Sequence, residues 1–169
     1  MTKRAVRFIA ALILPIMLLC GCSDGVKRLT AEEYKAAVEG AWDKYINSML
    51  DMIEITPLTV DEAALAEFAE NAEKAQPALK MREQSFKEFE EIVPPEKYEE
   101  LHKELLAALN AWEYEQLELH RKMFEAASVS ELENITKQIS EHAENSSGNT
   151  FPLVYLKVIK QLIADNVGG

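Results

Sequence analysis

Thiols are nearly missing from this chain: its 169 residues include only Cys20 and Cys22, both at the end of an N-terminal apolar run. Residues 23–169 can therefore form no disulfide, cysteine nucleophile or thiolate metal site. Glycine is also scarce, its six copies isolated except for the terminal Gly168-Gly169 pair. That leaves no Gly-rich loop to cradle a phosphate and no Gly-x-Ser-x-Gly nucleophile turn. Cations are in short supply: 18 Lys+Arg face 29 Asp+Glu, a net charge of −11. This balance argues against nucleic acid and against the whole domain lying on an anionic bilayer. The longest apolar run, Phe8 to Cys22, has 15 residues and is interrupted by Pro15. It falls short of the roughly 20 residues a helix needs to cross a ~30 Å hydrocarbon core.

What is present at the N-terminus is ordered. Lys3, Arg4 and Arg7 precede the uncharged Phe8–Leu19 stretch, and small residues follow, the pattern of a secretory leader. Leu19-Cys20-Gly21-Cys22 resembles the lipobox of bacterial lipoproteins, with a Leu three before the modified cysteine and a small residue directly before it. The resemblance implies a signal peptide over 1–21, cleavage after Gly21, and Cys22 as a mature N-terminus carrying a diacylglyceryl thioether. Residues 22–29 then form the lipidated cysteine and a short tether, and 30–169 the folded domain. Removing the leader takes away three basic residues and moves the net charge from −11 to −14. The acids are spread along the chain, as on a solvated surface. Lys27 and Arg28, on the tether, are within reach of lipid headgroups.

The remainder reads as all-α. Thr30-Ala31-Glu32-Glu33 has capping-box form and opens a helix to about Glu54, with Tyr34, Val38, Ala41, Tyr45, Met49 and Ile53 as its apolar stripe. Thr59-Val60-Asp61-Glu62 suggests a second box, and Leu65, Phe68, Ala72, Ala75, Leu79, Phe86, Phe89 and Val93 form a heptad-like seam. Arg82 is the one polar seam position and is expected to snorkel outward; Pro77 should kink or break the helix near Lys74 to Gln76. A third helix is expected from Glu96 to Ala127, a fourth from Ser130 to Asn145 behind a Ser130-to-Glu133 box, and a fifth from Pro152 to Asn166. The expected architecture is an elongated antiparallel bundle of three long helices, with two shorter C-terminal helices filling the remaining side.

Candidate chemistry is thin. His102 and His120 are 18 residues apart, ~27 Å along one helix, so they cannot share a metal site within it. Glu99 and His102 form the only Glu-x-x-His pair, whereas di-iron bundles use two. No catalytic, cofactor-binding or metal-binding residue is therefore nominated, and no cofactor; the one modification site is Cys22. Pro94-Pro95-Glu96-Lys97-Tyr98-Glu99-Glu100-Leu101-His102 resembles the Pro-Pro-x-x-Tyr-x-x-Leu-His helix starts of helix-rich bacterial lipoproteins without assigned chemistry. That resemblance implies an exported, membrane-tethered helical domain. Within it His102 is expected to stack near Tyr98 and hydrogen-bond Glu99.

The leading expectation is a non-enzymatic lipoprotein of the cell membrane or outer membrane. It would be held by the lipid on Cys22 and would bind an envelope protein, with no nucleic-acid partner. Two alternatives stand beside it. One is a small-molecule or metal carrier with an inter-helix cavity lined by Trp42, Tyr45, Phe68, Phe86, Trp112 and Tyr114. The other is an enzyme whose polar groups converge only in the fold.

Overall fold

Helix starts are set by side chains that satisfy the first free amides. The structure, a computed structural model, describes residues 27–145, 150–165 and 167. The expected leader, Cys22 and most of the Ser146–Thr150 loop lie outside these residues. Helix α1 (Ala31–Ile55) begins as its sequence suggests: Thr30 Oγ1 accepts from the Glu33 amide at 3.2 Å, and the Glu33 carboxylate accepts from the Thr30 amide at 2.8 Å. Helix α2 (Glu62–Glu91) does not use the Thr59 box. Asp61 is its cap, accepting from the Ala64 amide at 2.8 Å, while Thr59 and Val60 stay in the connection. Nor does α2 break at Pro77. The proline lies on the exposed face, where the carbonyl it leaves unpaired meets water, and Ala75, Ala78 and Leu79 keep the helix packed on both sides.

The expected third helix is segmented. A 3-10 turn (Glu96–Tyr98) leads into α3 (Glu99–Ala108), then a π-helical turn (Leu109–Glu113), then α4 (Tyr114–Glu125). The π turn has a packing cause. Leu105, Leu109, Glu113 and Leu117 are all buried at four-residue steps, so twelve residues cover a distance that three α turns cover in about eleven. The wider turn absorbs the extra residue. Helix α5 (Val129–Asn145) starts earlier than expected. Ser128 accepts from the Glu131 amide at 3.2 Å and Glu131 accepts from the Ala127 amide at 3.0 Å, so Ser128-to-Glu131, not Ser130-to-Glu133, forms the cap. Helix α6 (Phe151–Ala164) opens with the Leu153 and Val154 amides on the Thr150 carbonyl, and Pro152 sits in the first turn, where its missing N–H is harmless.

Contacts between elements give the topology. Tyr34 meets His102 and Tyr45 meets Glu113, a constant offset, so α1 runs parallel to the α3–α4 rod. Asn71 to Ile55, Arg82 to Ser48, Phe86 to Tyr114 and Phe68 to Phe124 run in opposite order, so α2 is antiparallel to both. Helix α5 returns beside α4, bringing His142 onto Trp112 at mid-rod. Helix α6 completes the same side beside α1 and α3, from Trp42 facing Phe151 to Tyr98 bonded to Asp165. The all-α bundle is thus a four-position one, with α5 and α6 sharing the fourth position. Among the described residues no helix is long and apolar enough to cross a membrane.

The core is largely aromatic. Tyr34 stacks on Tyr98, Trp42 on Tyr155 at 3.8 Å, and Phe151 sits edge-on to Tyr45 and Phe89. Each fully buried large apolar side chain contributes about 1.5–3 kcal/mol. In α1 the stripe departs from the expected one beyond Tyr45: Ser48 and Met52 are buried, Met49 is half-buried and Ile53 exposed. Each four-residue step drifts about 40° round the helix, so two in succession leave the core.

Arg28 and Leu29, at the end of the expected tether, are joined to the bundle. Arg28 donates to the Pro94 carbonyl at 3.0 Å and pairs with Glu99 at 2.7 Å, and the Leu29 amide donates to the Val93 carbonyl at 3.0 Å. Arg28 keeps an exposed side chain while making these bonds.

Candidate functional site

Two polar groups lie inside this apolar seam. The first centres on Arg82, which is 0 % exposed and does not snorkel. It points between α1 and α4 because it occupies a seam position flanked by Leu79, Ser85 and Phe86, all buried. Its Nε donates weakly to Ser48 Oγ at 3.4 Å, and its Nη1 lies 3.1 Å from His120 Nδ1. A guanidinium has only donors, so His120 Nδ1 accepts and the ring proton sits on Nε2. Nη2 is buried without a hydrogen-bond partner among the described residues. Ser48 and Ser85 also turn their hydroxyls onto backbone carbonyls within their own helices, those of Tyr45 and Arg82.

The π turn supplies the countercharge. It places Glu113 in the interior, where its carboxylate accepts from Tyr45 at 2.9 Å. Burial raises the Glu113 pKa, opposed by the Tyr45 hydrogen bond and the Arg82 charge. Burial lowers that of Arg82, opposed by Tyr45 and Glu113. His120 is pushed down to about 4, first by burial and then by the neighbouring guanidinium, against a pull upward from a hydrogen bond to the Gln116 backbone. The result is a buried cation with a neutral imidazole against it and a buried carboxyl acting on it electrostatically.

The second group lies nearer the tether. His102 is buried, with Nδ1 3.2 Å from the Tyr34 hydroxyl and Nε2 3.2 Å from the Phe89 carbonyl. One neutral tautomer satisfies both, Nε2–H donating to Phe89 and Nδ1 accepting from Tyr34. The expected bond to Glu99 is not made. Tyr98, His102 and Leu105 share the inward face, whereas Glu99 faces outward to Arg28 and Lys103, so the Glu-x-x-His pair is split between core and surface. The stacking partner of Tyr98 is Tyr34; His102 meets Tyr34 edge-on. His142 stacks flat on Trp112, with centroids 3.5 Å apart.

Among the described residues no three His, Cys, Asp or Glu side chains are grouped as metal ligands would be. The aromatic residues considered for a carrier cavity are taken up by ring contacts: Trp42 with Tyr45 and Tyr155, Phe68 with Phe124, Phe86 with Tyr114, and Trp112 with His142. The described hollows lie on the surface. A groove of about 540 Å³ lies beside Arg28, Pro94, Glu99 and His102, and a smaller one of about 350 Å³ lies along α6. Sequence periodicity placed Arg82 in the seam but gave no sign of Glu113 beside it. No protein-family model matches the chain, and neither does any curated protein or solved structure.

Proposed function

We propose that this chain is a lipid-anchored, extracytoplasmic binding module without catalytic chemistry. The observation that carries this reading is Leu19-Cys20-Gly21-Cys22 at the end of a basic-then-apolar leader. One acyl chain holds a protein only marginally, but two or three on Cys22 hold it stably. The interior supports a binding role over catalysis: His102 and Glu113 are buried and engaged with neighbours inside the bundle.

The binding surface that fits best is the end of the bundle away from Arg28. There Leu50, Ile53 and Leu58 are exposed, Leu58 fully. From residue 45 to residue 73 the chain has seven acids and no Lys, Arg or His. An apolar knob ringed by Asp51, Glu54, Asp61 and Glu62 suits an envelope protein presenting a basic and apolar segment.

The test is fractionation of cells expressing Cys20→Ser and Cys22→Ser forms, with mass spectrometry of the mature N-terminus. The first form should stay in the membrane fraction with a diacylglyceryl adduct on Cys22. The second should leave it. Equal retention of the Cys22→Ser form would remove the anchor and the reading built on it.

A further inference from the structure

The whole-chain charge hides an exception. Helix α6 contains Lys157 and Lys160 and no acidic residue, whereas each of α1 to α5 carries several acids. Its inner face is Phe151, Val154, Tyr155, Val158 and Leu162. Its outer face exposes Leu153, Leu156 and Ile163 by 50 %, 48 % and 61 %. Lys157 pairs with Glu104, Lys160 makes no ion pair among the described residues, and both line the smaller hollow with Leu153 and Leu156. The strip is narrow, since Glu104 borders it on α3 and Glu39 and Asp43 lie on the α1 side of Tyr155.

The position of α6 is tied to the start of the folded chain. Its C-terminal end is held by Tyr98 and Lys97 on Asp165, and by Lys35 on the Val167 carbonyl at 3.1 Å. The same corner holds Arg28 through Pro94 and Glu99.

We propose that the outer face of α6 is the surface this domain turns onto the bilayer, its lysines meeting lipid phosphates and its apolar side chains the acyl boundary. This rests on the reading of Cys22 as an anchor. Five residues, 23–27, separate Cys22 from Arg28, so the two are six chain steps apart, at most ~22 Å when extended. Two lysines and three apolar side chains are too few to hold a free protein on lipid. On a domain already confined there, they decide which side faces the membrane. The acidic remainder is repelled from anionic headgroups and turns outward.

The experiment reads orientation on vesicles of phosphatidylcholine and phosphatidylglycerol in a 7:3 ratio, with a quencher-bearing lipid. A thiol fluorophore is placed at Leu156→Cys or, for comparison, at Leu58→Cys. One arm uses the full chain as isolated from membranes. The other uses the full chain with Cys20→Ser and Cys22→Ser, held by an N-terminal hexahistidine on nickel-chelating lipid.

Quenching at position 156 should exceed that at 58 several-fold in both arms, and fall towards the position-58 level with Lys157→Glu and Lys160→Glu. Equal quenching at the two positions overturns the surface while leaving the anchor intact. Failure of the isolated protein to stay on vesicles, with position 156 still favoured in the tagged arm, overturns the anchor and supports the surface. Protection of position 156 only when other envelope proteins are added makes α6 a protein interface and overturns the proposal.

Discussion

The Tyr45 hydroxyl and the Glu113 carboxylate meet at 2.9 Å, deep between α1 and the π-helical turn. This contact links a side chain on the regular stripe of α1 to one on the wider turn of the rod. Arg82 lies close enough to act on both electrostatically, so the three form one buried unit.

Taking away one charge of that unit should cost more than taking away both. Glu113→Leu leaves Arg82 without countercharge and Tyr45 without an acceptor, and should lower unfolding free energy by ~3–5 kcal/mol. Glu113→Gln keeps an acceptor for Tyr45 and should cost less. Arg82→Met combined with Glu113→Gln should return stability to within ~1 kcal/mol of the parent, because the desolvation cost disappears with the charge. Urea unfolding midpoints, with helicity checked by circular dichroism, decide among these.

Stability should fall on mild acidification. His120 ionises near 4 in the folded chain against an ordinary value of 6.5. The unfolded chain therefore takes up its proton first, and stability present at pH 7 is lost between about pH 6.5 and 4, by about 3 kcal/mol at most. Burial lowers His102 in the same direction. Glu113, raised by burial, works the opposite way and blunts the loss. His120→Gln should flatten the pH dependence of the unfolding midpoint in that window. An unchanged slope would assign the loss to other groups.

Deleting Ala111 should convert the π turn to ordinary α-helix. The side chain is exposed, so the deletion removes no core contact of its own. Helicity should be retained, and the downstream residues Leu117 and Met123 should keep their packing. Glu113 then stands three residues after Leu109 on the same inward stripe, so it should keep its bond to Tyr45 and the unfolding free energy should change by no more than ~1 kcal/mol. An unchanged Tyr45 hydroxyl environment in ultraviolet absorbance titration checks this, and a shift would show that Glu113 needs the wider turn to reach Tyr45.

Pro77→Ala should stabilise the protein. Helix α2 continues through this exposed position, so the substitution restores an amide donor and removes the ring's clash without altering the core. A gain of ~1–3 kcal/mol is expected, read as a higher thermal midpoint.

Helix periodicity carried the all-α class, the Thr30 cap, the sharing of one side by α5 and α6, and the inward positions of Tyr34, Phe68, Leu105 and Leu132. It failed where two neighbours competed for one role. Asp61 outbid Thr59, and Ser128 outbid Ser130, as caps, because the choice depends on which acceptor faces the free amides once the chain has turned. Arg82 is in the seam as its spacing indicates, yet charge alone argued that it should reach water. Its burial becomes intelligible only beside Glu113 and His120, which lie on a neighbouring rod.

Arg28 and Leu29 also set where mechanical load enters the molecule. Tension on residues preceding Arg28 meets the Leu29–Val93 and Arg28–Pro94 bonds before it meets the first turn of α1. These bonds stitch the incoming strand to the corner between α2 and α3, two elements whose ends are far apart in sequence from residue 28. A tug from the N-terminal side is thereby spread over three helices at once, and α1 is spared from unwinding residue by residue.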